Sequence, residues 1–175
     1  MSAQFNIKPS DPASIRRLQH DLALPRFIAA TLVARGIDTA EEAYEFLSPS
    51  LERDWRNPYE IPGLEAVVDA LEDAVRSRKH VVVFGDFDLD GISATTVLTR
   101  GLRALGGFAT PFIPRRFDEG YGLTAAAYER VKKLSPDFIV TVDCGIACKK
   151  EVAAILADGV GVAVSDHHEA ADLVP

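Results

Sequence analysis

The chain has 175 residues, the length of one domain or of one domain with a small appendage. Its 47% hydrophobic content is enough for a core, but no apolar run reaches the length of a membrane span. The N-terminus MSAQFNIKPSD lacks the basic and apolar regions of a signal peptide, and two cysteines, Cys144 and Cys148, make no disulfide framework. The expectation is a cytoplasmic protein without membrane contact. The net charge of −7 argues against a simple basic nucleic-acid binder.

Residues 1–62 read as a helical region and a connector. Asp11-Pro12 resembles an N-cap followed by proline at the first helical position, and Ile15 and Leu18 start an apolar face. Phe27, Ile28, Leu32 and Val33 form another, stopped by Gly36. Thr39-Ala40-Glu41-Glu42 fits a capping box, in which hydroxyl and carboxylate each satisfy a free backbone N–H. Phe46 and Leu47 give that helix an apolar side, and Pro49, Pro58 and Pro62 mark the connector.

Residues 63–175 read as an α/β lobe, a mostly parallel sheet flanked by helices. Leu64, Val67, Val68, Leu71 and Val75 keep helical spacing, and Val81 to Phe84 is a short strand, apolar throughout as in a sheet covered on both faces. Ile92 to Leu105 is a helix with Val97, Leu98 and Leu102 on one side, ended by Gly106-Gly107. Phe108 to Ile113 is a weaker strand, and Pro111 places it near an edge. A helix over Leu123–Leu134, a strand over Phe138–Val142, a helix over Ala147–Leu156 and a strand over Val160–Val164 complete a βαβ rhythm with right-handed crossovers.

Three strands end in acids. The first reaches Asp86, Asp88 and Asp90, the third Asp143, and the last Asp166, His167 and His168. In a parallel sheet these ends lie along one edge, where ligands bind. One such aspartate is explained as the N-cap of the next helix; three ends, one bearing adjacent histidines, point to a metal. Carboxylates suit magnesium and manganese, and imidazole shifts the preference toward manganese, iron, cobalt or zinc. Five aspartates and two histidines exceed the needs of one ion, and paired ions suit phosphoester hydrolysis.

Residues 81–175 carry nine Lys/Arg against thirteen Asp/Glu, so setting aside the five motif aspartates leaves a slightly basic remainder. Bound metal could reverse the local field and favour a phosphate. In the loop from Ile113 to Gly122, Arg115 and Arg116 offer bidentate donors for phosphate, and Gly120 and Gly122 permit close backbone approach. Cys144 and Cys148 read as packing residues, His20 and His80 as surface residues, and Lys149-Lys150 as decoration of a helix face.

GDFDLDG, PRRFDEGYGL, TVDCGIA and SDHHE occur in the order seen in the DHH phosphoesterase superfamily, and the chain resembles most its RecJ-like branch of single-strand-specific DNA exonucleases. RGIDTAEEAYEFLSPSLE extends the likeness into the helical region, so that it spans Leu24 to Pro175. The resemblance implies a manganese- or magnesium-dependent, two-ion nuclease of DNA repair and recombination that degrades single-stranded DNA from its 5′ end. Single-stranded DNA is the implied partner, with a single-strand-binding protein and a helicase as protein partners. It assigns catalysis to Asp86, Asp88, Asp90, Asp143, His167 and His168, metal binding to Asp86, Asp88, Asp90, Asp143, Asp166 and His167, and substrate binding to Arg115, Arg116, Gly120, Tyr121 and Gly122. Asp143 is the implied bridging ligand, Asp166 and His168 support the site as ligands or as groups behind them, and Arg116 holds phosphate.

Phe84 stands where many DHH relatives have a histidine ligand, a departure shared by RecJ-like sequences. The chain stops at Pro175, seven residues after His168, whereas RecJ-like enzymes continue with a further aspartate ligand, a second catalytic domain and an OB-type domain. The expectation is an N-terminal fragment, inactive by itself. The alternatives are a DHH phosphodiesterase for short oligonucleotides or cyclic dinucleotides, a non-catalytic DHH scaffold in a replication or repair assembly, and, more distantly, a receiver-like acidic pocket.

Overall fold

The computed structural model describes residues 10–170 and Pro175. The signal-peptide reading of residues 1–9 and the family likeness over 171–174 lie outside the described residues. The chain divides into two compact units between Glu60 and Ile61.

In the first unit, Asp11 caps α1 (Pro12–Leu22) by accepting from the N–H groups of Ala13 and Ser14 at 3.2 and 2.9 Å. Ile15 and Leu18 pack with Ala29 and Leu32 of α2 (Arg26–Ala34) and Ala43 of α3 (Ala40–Leu47). This small core uses alanine where the sequence suggested larger side chains: Phe27 is 73% exposed, and Phe46 and Leu47 also face outward. The α3 cap differs from the expected box. Thr39 Oγ1 accepts from the Glu42 N–H, but the Glu42 carboxylate accepts from the same hydroxyl at 2.8 Å instead of from backbone. The connector contains short helical turns, α4 (Leu51–Asp54) and a 3-10 turn at Pro58–Glu60.

The second unit begins with α5 (Leu64–Arg76) and holds four strands: β1 (His80–Gly85), β2 (Phe108–Phe112), β3 (Phe138–Val142) and β4 (Gly161–Ser165). All three pairings are parallel, in the order β2-β1-β3-β4. β2 lies at an edge and leaves Pro111, which has no N–H, opposite only Val83 of β1. The alternation of a pleated strand splits the core. Val82, Phe84 and Ile139 face α8 (Ala125–Lys132) and α9 (Lys149–Ala157), while Val81, Val83, Val140 and Val142 face α5 and α6 (Leu89–Ala104). Val97 does not join Leu98 and Leu102 against the sheet. It lines an open apolar groove of about 590 Å³ between α5 and α6. His80 is a correction too: it is buried, stacked on Phe108 at 4.1 Å and bonded through Nε2 to Thr110 Oγ1 at 2.8 Å.

From β1 the chain moves outward to β2, and from β3 it moves the opposite way to β4. The crevice between the carboxyl ends of β1 and β3 is therefore the topological switch point, the place where open parallel sheets bind ligands. The first turn of α6 starts there, three residues earlier than expected, because Asp88 is its N-cap and accepts from the Gly91 N–H at 3.0 Å. Strand end and helix turn are pressed together. A Cβ on Gly91 would sit 2.5 Å from the backbone N and O of Asp86, and one on Gly85 would overlap Thr95 Oγ1.

Gly91→Ala is expected to destabilise the α/β unit by about 3 kcal/mol, the upper end for overpacking against backbone that cannot yield. Gly101→Ala, in the same helix with open space around its Cβ, is expected to stabilise it by about 1 kcal/mol through helix propensity. Denaturant unfolding of the two variants checks the opposite signs.

Candidate metal centre

Each strand end delivers its acid differently. Asp86 follows β1 directly and is 2% exposed. Its Oδ1 accepts from the Phe87 N–H at 2.7 Å. Burial raises its pKa; the Phe87 hydrogen bond acts against this, and the negative charges of Asp88 and Asp143 reinforce it. Burial and its acidic neighbours thus disfavour the charged form of this carboxylate.

Asp143 follows β3 in the left-handed region, at φ 61°, with its N–H bonded to Ser165 O at 2.9 Å. Aspartate tolerates this conformation better than most residues. The turn aims the Asp143 side chain toward β4, where its Oδ1 meets His167 Nε2 at 2.9 Å. Asp143, His167 and His168 each offer a ligand atom, and these atoms lie within 4.8 Å of one another. His168, expected as a ligand or as a group behind the ligands, is part of this trio.

Asp166 accepts three hydrogen bonds. Its Oδ2 accepts from the Ile146 N–H at 3.0 Å, and its Oδ1 from the His168 N–H at 3.1 Å and His168 Nδ1 at 2.7 Å. Burial raises its pKa, but these hydrogen bonds outweigh it and the net shift is downward. The same bond raises the His168 pKa. Asp166 thereby fixes the ring of His168 and ties the Asp143 turn to the end of β4. Asp88 and Asp90 are exposed on the first turn of α6, Asp88 with Oδ1 committed to its cap.

The loop after β2 lies at the same sheet edge. Arg115 precedes and Arg116 begins the short α7 (Arg116–Glu119), and both are exposed. The Arg116 guanidinium lies 4.7 Å from the centroid of the Phe87 ring. The Tyr121 hydroxyl is 3.4 Å from His168 Nε2. Gly120 and Gly122 have φ of 87° and 68°, the left-handed conformation the turn requires, and Gly122 is buried.

Sequence reasoning missed the residues that hold this loop. Glu119 pairs with Arg130 of α8, Oε1 to Nε at 2.6 Å and Oε2 to Nη2 at 2.9 Å, and also accepts from the Arg115 N–H at 2.7 Å. Arg130 donates on to Ile113 O at 2.8 Å and lies over the Phe112 ring. Opposite charges eleven positions apart carry no periodic signal; only the return of α8 against the loop brings them together.

A family model described as the DHH family, N-terminal domain, matches residues 80–175. The chain belongs to the DHH family. Its relatives include the single-stranded-DNA-specific exonuclease RecJ of Bacillus subtilis, 33% identical over 172 residues, and that of Thermus thermophilus, 44% identical over 110. The first match covers 98% of this chain and 22% of the relative, the second 62% and 16%. Among solved structures, RecJ from Thermus thermophilus in complex with Mn2+ matches with a TM-score of 0.62 and 33% identity, over 95% of this chain and 23% of that one. The Mg2+ complex matches with a TM-score of 0.52 and 30% identity, over 91% and 19%. The chain therefore spans about a fifth of the length of these RecJ proteins. Among the described residues no helix is long and apolar enough to cross a membrane.

Because the Asp86 pKa is raised on folding, its stabilising contribution belongs to the protonated form and is lost as pH rises through the folded value. Asp86→Asn keeps the acceptor for the Phe87 N–H and offers donors to the neighbouring carboxylates. In metal-free protein at neutral pH it is expected to raise the midpoint of thermal unfolding, by an amount that shrinks as pH falls. Thermal unfolding across a pH series with chelator present checks both the sign and the trend.

Proposed function

We propose that this chain is the metal-binding lobe of a nuclease that hydrolyses phosphodiester bonds of single-stranded DNA from the 5′ end. The lobe proper is 63–175, with 1–62 as an appended helical region. The observation that carries this reading is the trio of ligand atoms from Asp143, His167 and His168 within 4.8 Å, beside the buried carboxylate of Asp86. Carboxylate and imidazole together suit manganese, with magnesium served by the carboxylates alone. The mutual repulsion of Asp86, Asp88 and Asp143 also calls for a cation.

Asp86, Asp88, Asp90, Asp143 and His167 would hold two ions, with His168 and Asp166 at the margin. Bound there, divalent metal supplies Lewis-acid activation of water and of a phosphoryl oxygen. The chain's own residues prepare the site. The carboxylate of Asp166 requires a donor at His168 Nδ1, which leaves Nε2 as the lone-pair nitrogen, 3.4 Å from the Tyr121 hydroxyl. Asp143 is held by the left-handed turn, which presents its Oδ1 to His167 Nε2. Arg115 and Arg116, exposed on a loop clamped by Glu119 and Arg130, bind the backbone phosphates of the strand through paired charge-assisted bonds. The single-strand substrate and the 5′ polarity are drawn from the likeness to RecJ, whose curated name specifies single-stranded DNA.

In the 175-residue chain, Mn2+ at about one hundred times its Kd is expected to stabilise the fold by about 2.7 kcal/mol. Asp143→Asn, which keeps tolerance for the left-handed turn, is expected to lower Mn2+ affinity at least about tenfold. Calorimetric titration and thermal unfolding with added Mn2+ measure both. Function is tested in a protein of RecJ length that carries this lobe, since the chain spans about a fifth of those relatives; the substrate is a 3′-labelled, 5′-phosphorylated single strand. Stepwise shortening from the 5′ end that Asp143→Asn abolishes is the expected result. Stepwise shortening from the 3′ end, or hydrolysis confined to dinucleotides, would overturn the reading.

Arg116→Ala is expected to weaken binding of that strand several-fold while leaving Mn2+ affinity unchanged, since phosphate and metal are held by separate side chains. Fluorescence anisotropy beside calorimetric metal titration separates the two effects.

A further inference from the structure

Phe87 lies between two acids of the first motif, in a position that sequence alone makes a spacer. Its surroundings are not those of a spacer. The backbone N–H donates to Asp86 Oδ1 at 2.7 Å, so the residue is fixed to the most buried acid of the centre. The half-buried ring carries the Arg116 guanidinium, with Cζ 4.7 Å from its centroid. Tyr121 meets the same ring edge-on, at 6.0 Å and 82°. Tyr121 in turn reaches His168, hydroxyl to Nε2 at 3.4 Å.

Arg116 needs such support. It is exposed, and among the described residues its guanidinium enters no ion pair with a carboxylate. A free arginine side chain populates many rotamers, and ordering it on a ligand costs affinity. The clamp of Glu119 and Arg130 fixes the backbone on which Arg116 sits, but it does not touch the guanidinium. The face of the Phe87 ring attracts the cation and favours orientations that overlie the ring. Placing that ring one residue from Asp86 sets the arginine beside the acids without pairing it to them, so its donors stay available for an incoming anion.

We propose that Phe87 is a positioning residue that pre-orders the Arg116 guanidinium beside the acidic centre, with Tyr121 against the edge of the ring, so that a strand's phosphate is met by donors already in place. The proposal rests on the phosphate-binding reading of Arg116. The Phe87 side chain has no donor or ligand atom to offer metal or phosphate; it acts through Arg116, with Tyr121 against its edge. A phenylalanine that merely filled space would be replaced by leucine without consequence for either.

The test uses the 175-residue chain with Mg2+, selectively labelled arginine, and a 5′-phosphorylated oligothymidylate as probe. In the wild type the side-chain resonances of Arg116 are expected upfield, shifted by the ring current of Phe87. Phe87→Leu removes the shift, and Phe87→Tyr retains it. By anisotropy, Phe87→Leu is expected to weaken oligonucleotide binding about three- to fivefold, the value of an exposed cation–π contact. Phe87→Tyr restores the affinity, and Mg2+ affinity is the same in all three proteins. An upfield shift that survives in Phe87→Leu overturns the proposal, as does wild-type oligonucleotide affinity in Phe87→Leu when Arg116→Ala binds weakly. If Arg116→Ala binds as tightly as the wild type, the phosphate reading of the arginine fails, and the proposal fails with it. A misfolded Phe87→Leu would show as a lost Mg2+ response; Phe87→Met, which keeps bulk without a ring, then replaces it in the same comparison.

Discussion

A buried carboxylate at the mouth of a doubly covered sheet is the constraint from which the rest of the α/β unit follows. Asp86 leaves β1 at a point where neighbouring residues are sealed: Val81 to Phe84 are each no more than 2% exposed. An ionised group there needs hydrogen bonds or a counter-charge. The chain supplies one strong hydrogen bond, from Phe87, and then adds further negative charge from Asp88 and Asp143. That combination lowers the stability of the empty site and raises its affinity for a cation, because metal binding relieves the same repulsion that folding imposes. The tight crossing of Gly85 and Gly91 serves this arrangement. Without side chains at those two positions the first turn of α6 comes close enough to present its acids beside Asp86.

Much of this was legible in the sequence. The apolar run of β1, the proline that confines β2 to an edge and the acids ending three of four strands are local signals, and parallel topology turns strand ends into neighbours without knowledge of any contact. What escaped reading depends on distances between elements. Phe27 and Phe46 are apolar at helical spacing yet face outward, because three short helices meet closely enough that Ala29 and Ala43 fill the space between them. His80 looks like a surface histidine until the packing of β2 against β1 brings Phe108 over its ring. For Asp166, ligand or group behind the ligands, nothing local reveals the bonds from the Ile146 N–H and the His168 ring to its oxygens.

The same distinction separates the two halves of the site. Groups facing the proposed metal are held by backbone: Asp86 by its neighbour's N–H, Asp143 by a left-handed turn bonded to Ser165, and His168 through an aspartate bonded to Ile146. Groups facing the proposed phosphate are held by side chains, Arg116 by a ring and its loop by the pairing of Glu119 with Arg130. Backbone restraint is stiff and is specified by residues adjacent in sequence, which is why ordered motifs report it. Side-chain restraint is softer and is specified by residues that only the fold brings together. A metal centre, whose ligand distances vary by tenths of an ångström, needs the first kind. The strand proposed as substrate, binding and then advancing past the site, would be better served by the second, because donors held by a cation–π contact and a loop clamp can follow a moving phosphate that rigid donors would trap.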